Sequence, residues 1–140
     1  MTSPLGAALI AVFAWWFFTG VILMMVRRAD QGGMVAHRRN VFLTVPFCAL
    51  GVAGLVISTP ALTAANIYLA FFSVMLVWGW IELAFLSGVI TGPERAPCPA
   101  HLQGSARFVR ALHTVSHHEL LLLLGVLALV IISHGAENKV

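Results

Sequence analysis

Four long apolar runs separated by short polar stretches organise the chain. The first covers residues 4–26 without a charge, and Pro4 suits a first helical turn. A membrane span needs about 20 apolar residues, so this run is long enough for one helix. Residues 41–58 form the second run, where Pro46 predicts a kink or marks the first turns, and Ser58-Thr59-Pro60 ends it. The third starts near Ala64 and stays apolar to Ile90, interrupted only by Asn66 and Glu82. The fourth is uninterrupted only over 120–132, too short to span, so its helix must begin earlier. The pattern predicts an all-α integral membrane protein, a single membrane domain with four transmembrane helices at about 4–26, 41–58, 64–91 and 108–133. The fourth helix then carries His117, His118 and Glu119 into the bilayer or to its inner boundary.

Composition agrees with that solvent. Of the 140 residues 60 % are hydrophobic and 9 % are charged, whereas a soluble domain carries about 25 % charged residues. A chain this short cannot hide so much apolar surface in one small core. The N-terminal Met-Thr-Ser-Pro lacks the basic region of a signal peptide, so the first run is expected to stay in the membrane. Cys48 falls in an apolar run and Cys98 in a proline-rich loop, so the two are expected to remain unpaired thiols.

Net charge is +3, too small to suggest a nucleic-acid partner, but its placement is informative. Seven of the eight basic residues, Arg27, Arg28, Arg38, Arg39, Arg95, Arg107 and Arg110, flank two loops on the same side. The positive-inside rule makes that side cytoplasmic and places both termini and the short turn at Thr59 in the periplasm.

Polar residues inside the spans are the candidate chemistry. A carboxylate in hydrocarbon costs at least a few kcal/mol and normally faces protein, water or an ion. Glu82 and Glu119 both lie in the cytoplasmic half of the membrane at helical rise, on helices joined by the second arginine loop, and are expected to share one polar cluster with His118. Arg110, His113 and His117 fall on one helix face, His118 about 100° away, and Glu119 roughly opposite. A helix end polar nearly all round must be covered by protein, cofactor or headgroups. The intramembrane histidines all sit on one helix, which disfavours a bis-histidine haem within the chain. A magnesium tetrapyrrole, a His/Glu metal or proton site, and interfacial histidines near lipid phosphates stay open, with the metal unspecified. Cys98-x-x-His101 lacks the second ligand pair of a zinc site. Trp15, Trp16, Phe17 and Phe18 form an aromatic block that suits helix packing or a carotenoid or chlorin ring. Candidate cofactor-binding residues are therefore His118, His117 and Trp16.

Three stretches carry a resemblance. They are Trp15-Trp-Phe-Phe-Thr-Gly-Val-Ile-Leu23, then Val77-Trp-Gly-Trp-Ile-Glu-Leu-Ala-Phe-Leu-Ser-Gly-Val-Ile-Thr-Gly-Pro93 with Ala96-Pro-Cys-Pro99, and His118-Glu-Leu120. Together they resemble the photosynthetic complex assembly protein 2 (PuhE-like) family of purple and related phototrophic bacteria, over nearly the whole chain. The positions that match are Trp16, Gly20, Trp78, Glu82, Phe85, Gly88, Gly92, Pro93, Cys98, Pro99, His118 and Glu119; His113 and His117 fall outside the pattern. The resemblance implies a multi-pass protein of the bacterial inner membrane, cytoplasmic or intracytoplasmic. It also implies a link to the genes of the reaction-centre H subunit and to bacteriochlorophyll-dependent assembly. Members of that family continue with further helices, so this chain is expected to be a short relative or the N-terminal part of a longer protein.

The expected function is that of an accessory or assembly protein of the reaction centre–light-harvesting complex, with reaction-centre and light-harvesting subunits and membrane lipids as partners. Bacteriochlorophyll or carotenoid would be the pigment if one is bound. The alternatives are a permanent structural or pigment-binding subunit, and an enzyme of bacteriochlorophyll metabolism using the Glu/His site. No phosphate loop and no nucleophile motif stands in the sequence, which favours a packing or pigment role over energy-driven chemistry and over a catalytic role. A small transporter is disfavoured by the lack of internal repeats.

Overall fold

The computed structural model describes residues 3–138, and among them every regular element is an α-helix. The helices are α1 (Pro4–Asp30), α2 (Gly33–Leu43), α3 (Val45–Ser58), α4 (Ala64–Leu86) and α5 (Gly104–Ser133). Helices α2 and α3 run on as one span, so four helical rods are long and apolar enough to cross a membrane: Pro4–Asp30, Gly33–Ser58, Ala64–Leu86 and Gly104–Ser133. The chain is a multi-pass membrane protein of the all-α class.

Local chemistry sets the helix ends. Ser3 caps α1, its Oγ accepting from the Gly6 amide at 3.1 Å with Pro4 in the first turn. Thr63 caps α4 through Oγ1 and the Asn66 amide at 3.2 Å. Asn66, the polar interruption of the third run, donates to the Ala61 carbonyl at 2.8 Å and so ties down the 59–63 turn. Pro46 stands at the start of α3, and the break falls at Thr44. The Val41 carbonyl at this break accepts from the Thr44 hydroxyl at 3.0 Å and from Trp80 Nε1 at 3.0 Å. A backbone group freed inside a bilayer must find such a partner.

Helix boundaries differ from the hydropathy reading at three places. Residues 27–40, expected as a polar loop, are almost entirely helix: α1 runs on to Asp30, α2 starts at Gly33, and the turn is Gln31-Gly32. Apolar character was expected to carry the third helix to about residue 91, yet α4 ends at Leu86, because Gly88 takes φ +67° and turns the chain. The fourth helix, expected from about 108, begins at Gly104. Hydropathy marks where a helix leaves the hydrocarbon; it does not mark where the helix stops.

Helices α3 and α4 form a tight hairpin. A Cβ on Gly51 would lie 2.7 Å from the Ser73 carbonyl oxygen, and one on Gly54 would run into the Ser73 hydroxyl. Small residues let the backbones approach this closely. Helix α1 packs on α2 and α4, and α5 leans on α4. Ile22, Val41, Leu83 and Ala84 make the core, with Trp78 and Trp80 against it. The tail folds back to the 59–63 turn: Asn138 Nδ2 donates to Ser58 O at 3.0 Å and its amide to Thr59 O at 3.3 Å. Lys139, the eighth basic residue, lies outside the described residues. At the opposite end Met34 Cε approaches Gly88, so the two arginine-bearing connections sit side by side.

Candidate functional site

The polar site forms where the chain leaves α4 and comes back along α5. Ser87 caps α4, Gly88 reverses the direction, and the amides of Val89 and Ile90 both donate to the Ala84 carbonyl at 3.0 Å. Thr91 and Gly92 are then laid across the flank of α5. The His118 amide donates to Thr91 O at 3.0 Å, and the Glu94 amide to His113 O at 3.5 Å. Gly92 is pressed against the α5 backbone so closely that a Cβ there would collide with the His113 carbonyl oxygen. Backbone has met backbone, and only glycine leaves the room.

This clamp aims His118 inward. Its side chain is 7 % exposed, and Nε2 lies 3.9 Å from Glu82 Oε1 on α4. That separation is an ion-pair distance, too long for a direct hydrogen bond. Phe85, one turn beyond Glu82, stacks on the imidazole with ring centroids 4.0 Å apart and planes 23° apart. Nδ1 of His118 is buried without a hydrogen-bond partner. The arrangement gives one acid and one base, facing each other on neighbouring helices and covered by an aromatic ring. It can pair opposite charges across α4 and α5 when the imidazole is protonated.

Beside the clamp, Arg110 holds the proline loop. Its guanidinium meets Glu94 through Nη2–Oε1 at 2.9 Å and Nη1–Oε2 at 3.0 Å, a bidentate pair. Nη2 also donates to the carbonyls of Ala96 and Pro97 at 3.3 Å. Arg110, read from spacing as part of a basic face with His113 and His117, is thus neutralised by the loop.

The structure brings together Glu82 and His118 and leaves the other expected residues apart. Glu119 does not join them: it follows the buried His118 on the helix and stands exposed, with no polar partner among the described residues. His113 and His117 are exposed as well. Trp16 is 67 % exposed on α1, in an outward aromatic ladder in which the ring centroids of Trp16 and Phe17 lie 6.0 and 6.1 Å from that of Phe13. Cys98 and His101 are both exposed in the loop, and Cys48 and Cys98 are free thiols. Among the described residues no group of three or more His, Cys, Asp or Glu side chains is placed to hold a metal. A pair that sequence reasoning missed is His37 with Asp30, at 3.1 Å across the α1–α2 turn, with the imidazole buried. Its signal was a glycine pair, Gly32-Gly33, between two residues of complementary chemistry.

The family model described as "Protein of unknown function (DUF3623)" matches residues 1–140. The chain is also similar to an "Uncharacterized 30.4 kDa protein in puhA 5'region" of Rhodobacter capsulatus, 38 % identical over 138 residues, which are 99 % of this chain and 50 % of that protein. The chain therefore spans about half the length of the curated relative it matches. No solved structure matches it.

Proposed function

The chain belongs to the DUF3623 family, and from that premise we propose that it is a membrane accessory or assembly protein of the bacterial photosynthetic reaction centre–light-harvesting complex. One observation carries the reading. Glu119 stands exposed on α5, whose span is only 6 % buried against 39 % for α4. From Ser133 back to Glu119 the helix rises about 21 Å, which leaves the carboxylate well inside a hydrocarbon core of about 30 Å. Such a group needs a polar cover, and this chain supplies none among the described residues. A second membrane protein packed on α5 would supply it. The setting comes from the sequence: its resemblance to photosynthetic assembly proteins, and a relative whose name places it in the puhA 5' region. Reaction-centre and light-harvesting subunits of the inner membrane are the partners this reading implies.

A second reading, a permanent pigment-binding subunit, is favoured by the outward His117. Phe85 and Glu82 occupy the surroundings of His118, whereas His117 offers an uncovered imidazole to an axial site on bacteriochlorophyll. Purification of the tagged protein from a phototrophic host in mild detergent separates the two. Reaction-centre subunits and pigment at a fixed ratio identify a permanent subunit; a substoichiometric association that Glu119→Leu weakens identifies an assembly factor. A stable, pigment-free monomer with no associated subunits overturns both.

A further inference from the structure

Arginines at the α1–α2 corner have a use that the complex-assembly reading does not absorb. We propose that the cytoplasm-facing end of α1 is a binding site for an anionic phospholipid, with the phosphate on Arg27 and Arg28 and an acyl chain along the helix below.

A shallow groove of about 390 Å³ runs down one face of α1, lined by Gly20, Leu23, Met24, Arg27, Arg28 and Gln31. Its chemistry changes once along its length. The lower part is apolar, and Gly20 opens it: a Cβ there would meet nothing within 4 Å, so a chain of methylenes can lie on the backbone. Arg27, Arg28 and Gln31 line the upper part. That order, apolar then cationic, is the order a lipid presents from tail to headgroup, and the change falls where the uncharged run of 4–26 ends.

Charge is available there. Among the described residues neither Arg27 nor Arg28 has an acidic partner. Asp30, the nearest acid in sequence, is taken by His37 at 3.1 Å. The same contact, with Asn40 Nδ2 donating to Met25 O at 3.5 Å, sets the register of α1 against α2. In that register Arg38 and Arg39, both exposed, stand across from the last turns of α1. The α1–α2 corner thus carries four arginines, two at the end of α1 and two on α2. By contrast Arg110, in the first turns of α5 at the other arginine-bearing connection, is held by Glu94.

The test uses the purified full chain in mild detergent, with native mass spectrometry to count and rank bound lipids. Phosphatidylglycerol is the probe, and phosphatidylcholine and glycerol phosphate are the comparisons. Each arginine near an anionic headgroup contributes about 1 kcal/mol, or roughly fivefold. The expected result is one retained phosphatidylglycerol, preferred over phosphatidylcholine, whose affinity falls roughly thirtyfold in Arg27→Gln/Arg28→Gln and is unchanged in Arg107→Gln. Should the double variant fail to fold, Arg28→Gln alone is read at about fivefold. Gly20→Leu fills the groove and is expected to weaken the lipid while sparing glycerol phosphate. Equal binding of phosphatidylcholine, equal affinity in the arginine variants, or indifference to Gly20→Leu overturns the site.

Discussion

Gly92, in the loop that precedes α5, and Glu82, on α4, both bear on how α5 is held. At Gly92 the obstacle to a side chain is the carbonyl backbone of His113 and Thr114, which cannot rotate away. Gly92→Ala is therefore expected to lower stability by about 1–3 kcal/mol, as overpacking does. Gly20→Ala meets open space and should leave the melting temperature in detergent unchanged or slightly raised. The two intramembrane carboxylates should part ways in the same measurement. Glu82→Leu strips His118 of its facing charge and should cost about 1–3 kcal/mol, the usual penalty for a stranded buried polar group. Glu119→Leu removes an uncovered carboxylate and should leave the isolated chain as stable or more so. Equal losses for both would mean that they share one environment. Glu82 and His118 were legible in the sequence because an acid and a base at one depth on consecutive helices have few other places to go. The exclusion of Glu119 was not legible. It depends on the rotation of α5, which the loop backbone at Thr91 and Gly92 sets through main-chain contacts that no side-chain pattern encodes.

Among the elements, the spans were readable and the ends were not. Uncharged stretches gave four crossings, because lipid enforces that pattern more strictly than water does. The continuation of α1 to Asp30 and the start of α2 at Gly33 lie where charge begins, and polar residues form helix as readily there as anywhere. Helix α5 differs from the others in attachment. It is the longest, Gly104–Ser133, yet its span is the least buried, and its firm anchors are the contacts of Thr91, Glu94 and Arg110 in its N-terminal half. A groove of about 160 Å³ remains between it and α4, lined entirely by apolar residues and Gly125. Few buried contacts mean a low free energy of local opening. Hydrogen exchange in detergent should accordingly proceed faster in the amides of 120–133 than in those of α3 and α4. Uniform protection across all five helices would contradict this.

At the scale of the whole molecule, the tail contact of Asn138 with Ser58 and Thr59 puts the 59–63 turn and the C-terminal residues at one end of the bundle. Both arginine-bearing connections occupy the other. The charge bias predicts that the arginine end faces the cytoplasm. The exposed Cys98 in the proline loop is a native reporter for this. A membrane-impermeant maleimide should leave it untouched in spheroplasts and label it in inverted vesicles. Labelling in spheroplasts would invert the topology and move the proposed lipid site to the periplasmic leaflet.

The uneven attachment of α5 also has a mechanical meaning. Sequence-adjacent α3 and α4 pack closely, with Gly51 and Gly54 both against Ser73, whereas α5 is fastened mainly near one end by the turn that precedes it. Under tension applied at the C-terminus, the load first breaks the Asn138 contacts and then peels α5 from its free, apolar side. Magnetic-tweezer pulling in a bicelle should show α5 leaving as a separate early step at low force, with the α3–α4 hairpin yielding last. A bundle built this way lets one helix come and go while the other three keep their shape.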